Sequence, residues 1–229
     1  MEAKLQGPID LAGFRDEATH LLARQVRPEE VVWSLHPVAG DQYLQPALAS
    51  ASRPRNVARA ATAIVPASFL RLSEFVVLHQ DPERFALLYR LLWRLVHEPG
   101  LRNDAADPDM LHAQHMAHAV RRDVHKMKSN LRFIALAPDE QGECLQVAWY
   151  EPTHHVVETV APWYAKRSVA AHWAIFTPER SVRCDAGQLI YAPGIPAARA
   201  PGEMAPDALW QDWFDTLFRP QQVVPASGA

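Results

Sequence analysis

The run Phe85-Ala86-Leu87-Leu88-Tyr89-Arg90-Leu91-Leu92-Trp93-Arg94-Leu95-Val96 would be apolar on nearly every side of an α-helix. Such a helix offers water no continuous face, so other elements must wrap it at the centre of a core. Asp81-Pro82-Glu83 opens it with an N-cap residue, Pro at the first helical position and an acid in the first turn, and Pro99-Gly100 closes it. Wrapping elements are at hand on both sides. Pro66 precedes Phe69, Leu70, Leu72, Phe75, Val76 and Leu78 at helical spacing, and Asp107-Pro108-Asp109 repeats the start signal for a helix reaching about Ser129. Residues 66–130 are therefore predicted to be helical, with the segment from about Glu83 to His97 the most buried.

Before this block, residues 1–38 read as strand, helix, strand: Asp10 is an N-cap, Phe14, Ala18, Leu21 and Leu22 recur at helical spacing, and Val31 to Leu35 favour a strand. Residues 39–64 shift to Ala, Ser, Arg and Pro and are expected to be a flexible excursion, with room for a short helix from Val57 to Ile64. After residue 130 the period changes. Leu131–Leu136 and Cys144–Tyr150 read as strands about a turn at Pro138–Gly142, followed by a helical segment entered through Pro152-Thr153 and interrupted at Pro162. His172–Thr177, Ser181–Cys184 and Leu189–Tyr191 follow as strands, and a helix from Pro206 to Phe218 precedes a disordered tail at 219–229. Helices and hairpin-linked strands are segregated, which predicts an α+β fold: a helical N-terminal half packed on a small, mainly antiparallel sheet, in a single domain over residues 1–218.

With 229 residues the chain exceeds the roughly 150-residue prior for one domain by about half and needs no staple to close a core. Two cysteines exclude a disulfide scaffold and any Cys-rich metal or cluster site. No run approaches about 18 apolar residues, and no secretory signal opens the chain, so the expectation is a soluble cytoplasmic protein without a membrane partner. A net charge of −3 argues against a wholly basic nucleic-acid coat.

Within that acidic chain lies one basic stretch. At roughly 100° per residue, Gln114, His118, Arg121, His125, Lys128 and Arg132 share one stripe, while Met116, Val120, Val124, Met127 and Leu131 share another. Arg122 and Lys126 widen the basic row. Arg and Lys in such a row suit phosphate contacts, because they neutralise phosphates and release counterions; the bland counterpart is a solvated helix face whose charge complements the helix C-terminus. His154-His155, flanked by Glu151 and Glu158 and followed by Trp163, Tyr164, Lys166 and Arg167, combines carboxylate, imidazole and cation, a set able to do acid–base chemistry on a phosphate or glycosidic substrate. The candidate catalytic residues are thus His125, Glu151, His154 and His155, and the candidate phosphate-binding residues are Arg121, Arg122, His125, Lys126, Lys128, Arg132, Lys166 and Arg167. His112, His115 and His118 drift around the helix by three residues at a time, which spoils a three-ligand metal site, and no His-Glu-x-x-His string occurs. No Walker loop, Gly-x-Gly-x-x-Gly, radical-cluster Cys motif or nucleophile elbow is present either, so neither metal nor cofactor is implied.

Four strings occur in order: Arg122-Asp123-Val124-His125-Lys126-Met127, Ala148 to Val157 (Ala-Trp-Tyr-Glu-Pro-Thr-His-His-Val-Val), Ala161-Pro162-Trp163-Tyr164-Ala165-Lys166-Arg167, and Trp173-Ala174-Ile175-Phe176-Thr177-Pro178. Over about Val65 to Phe218 the chain resembles an uncharacterised bacterial domain family of DNA metabolism and repair. Members of that family occur fused ahead of a UdgX-type uracil-DNA glycosylase-like domain, or alone beside a radical-SAM protein. This chain departs from the family where Asn130-Leu131 replaces a usual aromatic and where Cys184-Asp185 replaces Trp-Asp. The resemblance implies a setting, the processing of uracil-containing or damaged DNA, with a glycosylase-like protein and a radical-SAM protein as partners. It leads to an accessory protein that binds nucleic acid or a DNA-acting partner through the basic helix. A hydrolase or nucleotide-processing enzyme built on the His/Glu residues, and a pure protein-interaction module, are the alternatives.

Overall fold

A computed structural model describes residues 1–36, 65–104, 106–138, 142–168, 170–201 and 205–218. The excursion predicted at 39–64, its short helix, the tip of the 138–142 turn and the tail at 219–229 lie outside the described residues. The chain divides into two compact units that exchange segments: Met1–Ser129 with Pro152–Glu158, and Asn130–Glu151 with Thr159–Ala229.

In the first unit, strands β1 (Glu2–Leu5) and β2 (Val32–Leu35) pair in parallel, and helix α1 (Leu11–Ala23) connects them. The Asp10 carboxylate accepts the Gly13 N–H at 2.8 Å, which fixes the start of α1, and Phe14, Ala18, Leu21 and Leu22 are its buried residues. Helices α2 (Ala67–Val76), α3 (Arg84–His97) and α4 (Pro108–Asn130) follow. Along α3 only His97 is exposed, as the all-round apolar pattern requires. Phe85 meets Phe14 and Trp33 with ring centroids 5.7 and 6.1 Å away. The Tyr89 hydroxyl donates to the Val26 carbonyl at 2.7 Å, and burial pushes its pKa up to about 12.

The one polar edge of α3 is spent on the start of α4. Arg94 reaches Asp107 at 2.7 Å and Asp109 at 3.0 Å, and Arg90 reaches Asp109 at 2.8 Å. Asp107 also accepts the Met110 N–H at 3.0 Å, so one nearly buried carboxylate both caps α4 and ties it to α3.

In the second unit, β3 (Ile134–Ala135), β4 (Gln146–Trp149), β5 (His172–Phe176), β6 (Arg180–Asp185) and β7 (Gln188–Pro193) form one sheet in that order. β4 and β5 pair in parallel and the other ladders are antiparallel. Helix α5 (Val157–Arg167) bridges the parallel pair and runs straight through Pro162, where an interruption is expected from the sequence. Proline gives up one ladder bond there, yet Val160, Ala161 and Tyr164 are buried on either side of it, and that packing carries the helix through. Ala186 (φ 46°) and Gly187 (φ 89°) make the tight turn between β6 and β7, the two positive φ values that a type I′ hairpin requires. After β7, a Cβ on Gly194 would lie 2.2 Å from the Pro178 carbonyl oxygen, so only glycine lets these two backbones meet. Helix α6 (Asp207–Phe218) buries Trp210, Trp213 and Phe218 in a cluster with Val147, Ala174, Phe176 and Ala192 of the sheet. The architecture is α+β, with a mostly antiparallel five-stranded sheet. Among the described residues no helix is long and apolar enough to cross a membrane.

Candidate functional site

Helix α4 starts at its Asp107 cap, carries Asp109 in its first turn and Lys128 in its last, and so complements its own dipole at both ends. Ala113, Met116, Ala117, Val120, Asp123 and Met127 are its buried residues. Gln114, His118, Arg121, Arg122, His125 and Lys126 are exposed, and Lys128 is half-buried. The expected basic row is therefore an outward face. Among the described residues, none of Arg121, Arg122, His125 and Lys126 is paired with a carboxylate. Arg121 lies over the Phe75 ring of α2, 4.2 Å from its centroid, which steadies the guanidinium without consuming its N–H donors. The inward stripe differs from expectation at one position: Val124 is only half-buried, and its neighbour Asp123 is turned inside.

Asp123 is inside because it has a partner there. Its carboxylate accepts the backbone N–H of His154 at 2.8 Å, which satisfies a charge that is only 6% exposed. His154, itself buried, stacks on His79 with ring centroids 4.3 Å apart. The Gln80 N–H donates to His154 Nδ1 at 3.3 Å, and the Asp81 N–H donates to His79 Nδ1 at 3.1 Å. Burial lowers the pKa of both imidazoles; the neighbouring His154 adds to the effect at His79, and the Asp123 charge opposes it at His154. The turn that carries His79 is clamped by Arg84, which is nearly buried. Its Nε donates to the Val77 carbonyl at 2.9 Å, Nη1 to the Asp81 carbonyl at 2.8 Å and Nη2 to the Pro8 carbonyl at 2.5 Å. The His155 N–H closes the arrangement on the Leu78 carbonyl at 2.9 Å.

The sequence candidates thus separate into groups. His154 and His155 come together with His79. His125 stands on the exposed face of α4, roughly 160° around the helix from Asp123, so it lies with the exposed row and apart from His154. Asp123 meets the His154 backbone rather than its ring, which makes it a positioning carboxylate and not half of an acid–base dyad. Glu151 lies in the second unit, exposed, where it accepts the Trp149 indole N–H at 3.1 Å. Arg132, Lys166 and Arg167 are also exposed residues of that unit. There Arg167 stacks on Trp163, 4.7 Å from the ring centroid, and Phe133 packs edge-on against Tyr164 and Trp173. Burial raises the Tyr164 phenol, partly offset by the Arg132 charge. His112, His115 and His118 are exposed, and among the described residues no group of three or more His, Cys, Asp or Glu side chains is arranged to hold a metal ion.

Sequence reasoning missed His79, Asp123 and Arg84. An Asp following two arginines on a helix is ordinarily solvated, and His79 sits in a loop with no spacing to distinguish it. The usable signal was Asp123 itself, a charge placed where the period demands an apolar residue.

A fold of this class, α+β with an outward basic helix, is shared by many unrelated proteins and fixes no activity. The chain belongs to the DUF4130 family, a domain of unknown function, whose family model matches residues 82–226. No curated protein and no solved structure matches it.

Proposed function

We propose that this protein is an accessory factor of DNA metabolism or repair that binds nucleic acid, or a DNA-acting partner, through the outward face of α4. The observation that carries this reading is the row of Arg121, Arg122, His125 and Lys126, exposed and without carboxylate partners among the described residues, in a chain whose net charge is −3. Free cations concentrated on one helix face of an acidic protein are suited to a polyanion. The resemblance in the four sequence strings supports DNA as that polyanion and a uracil-DNA glycosylase-like protein and a radical-SAM protein as its working partners. Lys128, Arg132, Lys166 and Arg167 are further cations for the same role. No base-reading motif accompanies them, so binding should show little sequence preference.

Fluorescence anisotropy with ordinary and uracil-containing oligonucleotides tests the reading. Some three to five phosphate contacts should give log K falling against log salt with a slope of about −3 to −4. The substitutions Arg122→Gln and Lys126→Gln should each reduce that slope by about one and leave Tm nearly unchanged. A double variant that binds like the wild type would leave the face as solvated helix surface.

A further inference from the structure

We propose that the stacked His79–His154 pair is a binding site for an oxyanion of the phosphate class, held by two imidazole Nε2–H donors. This site is distinct from the basic row, because Asp123, which holds His154 in place, is buried, whereas Arg121, Arg122, His125 and Lys126 are exposed.

The backbone decides which nitrogen carries each proton. A peptide N–H can only donate, so the bonds from Asp81 N–H to His79 Nδ1 and from Gln80 N–H to His154 Nδ1 leave both Nδ1 atoms unprotonated. The single proton of each neutral ring is then on Nε2. Both rings stay neutral near pH 7, since burial lowers both pKa values. The two donating amides are consecutive and the rings are in contact at 4.3 Å with planes 32° apart. Both Nδ1 edges therefore converge on one turn, and the Nε2–H of each ring is the polar edge left for a ligand. Neither Nε2 has a hydrogen-bond partner among the described residues, and neither is one of the buried side-chain atoms left without one, so each keeps some contact with solvent although His154 as a whole is buried.

A pair of this kind can only donate. With Nδ1 occupied and Nε2 protonated, no ring lone pair is available to a cation, and the ligand must bring acceptors. The preference for an anion rests on these donors; of the fixed charges near the pair, Arg84 favours an anion at His79, while Asp81 and Asp123 oppose one. The nearby carboxylates are engaged: Asp81 accepts the Glu83 N–H at 2.8 Å, and Asp123 accepts the His154 N–H at 2.8 Å. Arg84 clamps the turn through three carbonyls, so the donors are positioned before any ligand arrives.

Long-range ¹H–¹⁵N NMR of the histidine rings in the full chain tests both parts. At pH 7.5 the rings of His79 and His154 should show protonated Nε2 and unprotonated Nδ1. Titration with inorganic phosphate, and separately with thymidine 5′-monophosphate, should shift both Nε2 signals saturably, while chloride at matched ionic strength should not. The stronger of the two ligands tells free phosphate from a phosphate ester. The variants His79→Asn and His154→Asn supply a side-chain oxygen in place of Nδ1 and delete the Nε2–H, and each should weaken phosphate binding about tenfold. A proton on Nδ1 in either ring, or a phosphate response no greater than that to chloride, overturns the proposal. Because both readouts use the wild-type chain, they decide the matter even where a variant fails to fold.

Discussion

His154 shows how much one residue is asked to do: its backbone N–H donates to a buried carboxylate, its ring stacks on His79, and its Nδ1 accepts a peptide N–H. Protonating that ring, or His79, would turn an acceptor into a donor facing another donor. The sign of the resulting pH dependence follows directly. Burial lowers both imidazoles from the ordinary 6.5, so between that value and the folded pKa the unfolded chain binds more protons than the folded one. Their contribution to stability is complete above about 6.5 and is lost as pH falls through the folded values. Asp107 and Asp109 act lower on the scale. Hydrogen bonds from Arg94 and Arg90 hold them below the ordinary 3.8, so their contribution is present above that value and is lost as pH falls through the folded pKa. Acid should therefore destabilise the protein in two steps. A Tm series from about pH 8 to pH 3 should show both, and His154→Asn should flatten only the upper step. A Tm constant down to about pH 5 would mean that the two rings are not held neutral by the fold.

At the scale of elements, α3 is the measure of what could be read in advance. An all-round apolar helix has one solution, and Leu88 and Leu91 are fully buried within it. Leu88→Ala should cost about 2–5 kcal/mol in chemical denaturation, and a cost below about 1 kcal/mol would mean that α3 is not the core helix. The start of α4 was equally legible, because Asp-Pro-Asp is a local signal. Its tie to Arg90 and Arg94 was not, since that pairing joins residues 13 to 19 positions apart whose meeting depends on how the helices pack. The two functions of Asp107 can be separated. Asp107→Asn keeps a capping side chain and loses the ion pair with Arg94, whereas Asp107→Ala loses both. The alanine variant should be less stable than the asparagine variant by about 1 kcal/mol, and equal stabilities would show that the cap contributes nothing. Pro162 marks where local reading failed: the breaker rule is a propensity, and the buried neighbours at Val160, Ala161 and Tyr164 outweigh it.

For the whole molecule, the order of elements and the α+β class were legible because period and turn chemistry are local, whereas the exchange of segments between the two units was not. Linear reading has no means of finding that Pro152–Glu158 belongs with Met1–Ser129. That segment supplies the His154 N–H to Asp123, the His154 ring to His79 and the His155 N–H to Leu78, and it buries Val156 and Val157. A fragment ending at Ser129 would keep every helix of the N-terminal half and lose all of these at once. It would leave the Asp123 carboxylate without its donor and Gln80 N–H without its acceptor, in addition to exposing apolar surface. The prediction is that residues 1–129 expressed alone are markedly less stable than the first unit within the full chain, with a lower Tm and a broader transition. A synthetic peptide spanning residues 150–160 should raise that Tm in a concentration-dependent way, and more than a version carrying a proline at His154, which lacks the N–H that Asp123 accepts. A fragment with the full chain's first-unit stability, measured by amide hydrogen exchange at α4, would show instead that the segment is an ornament of the first unit and that Asp123 finds its donor elsewhere.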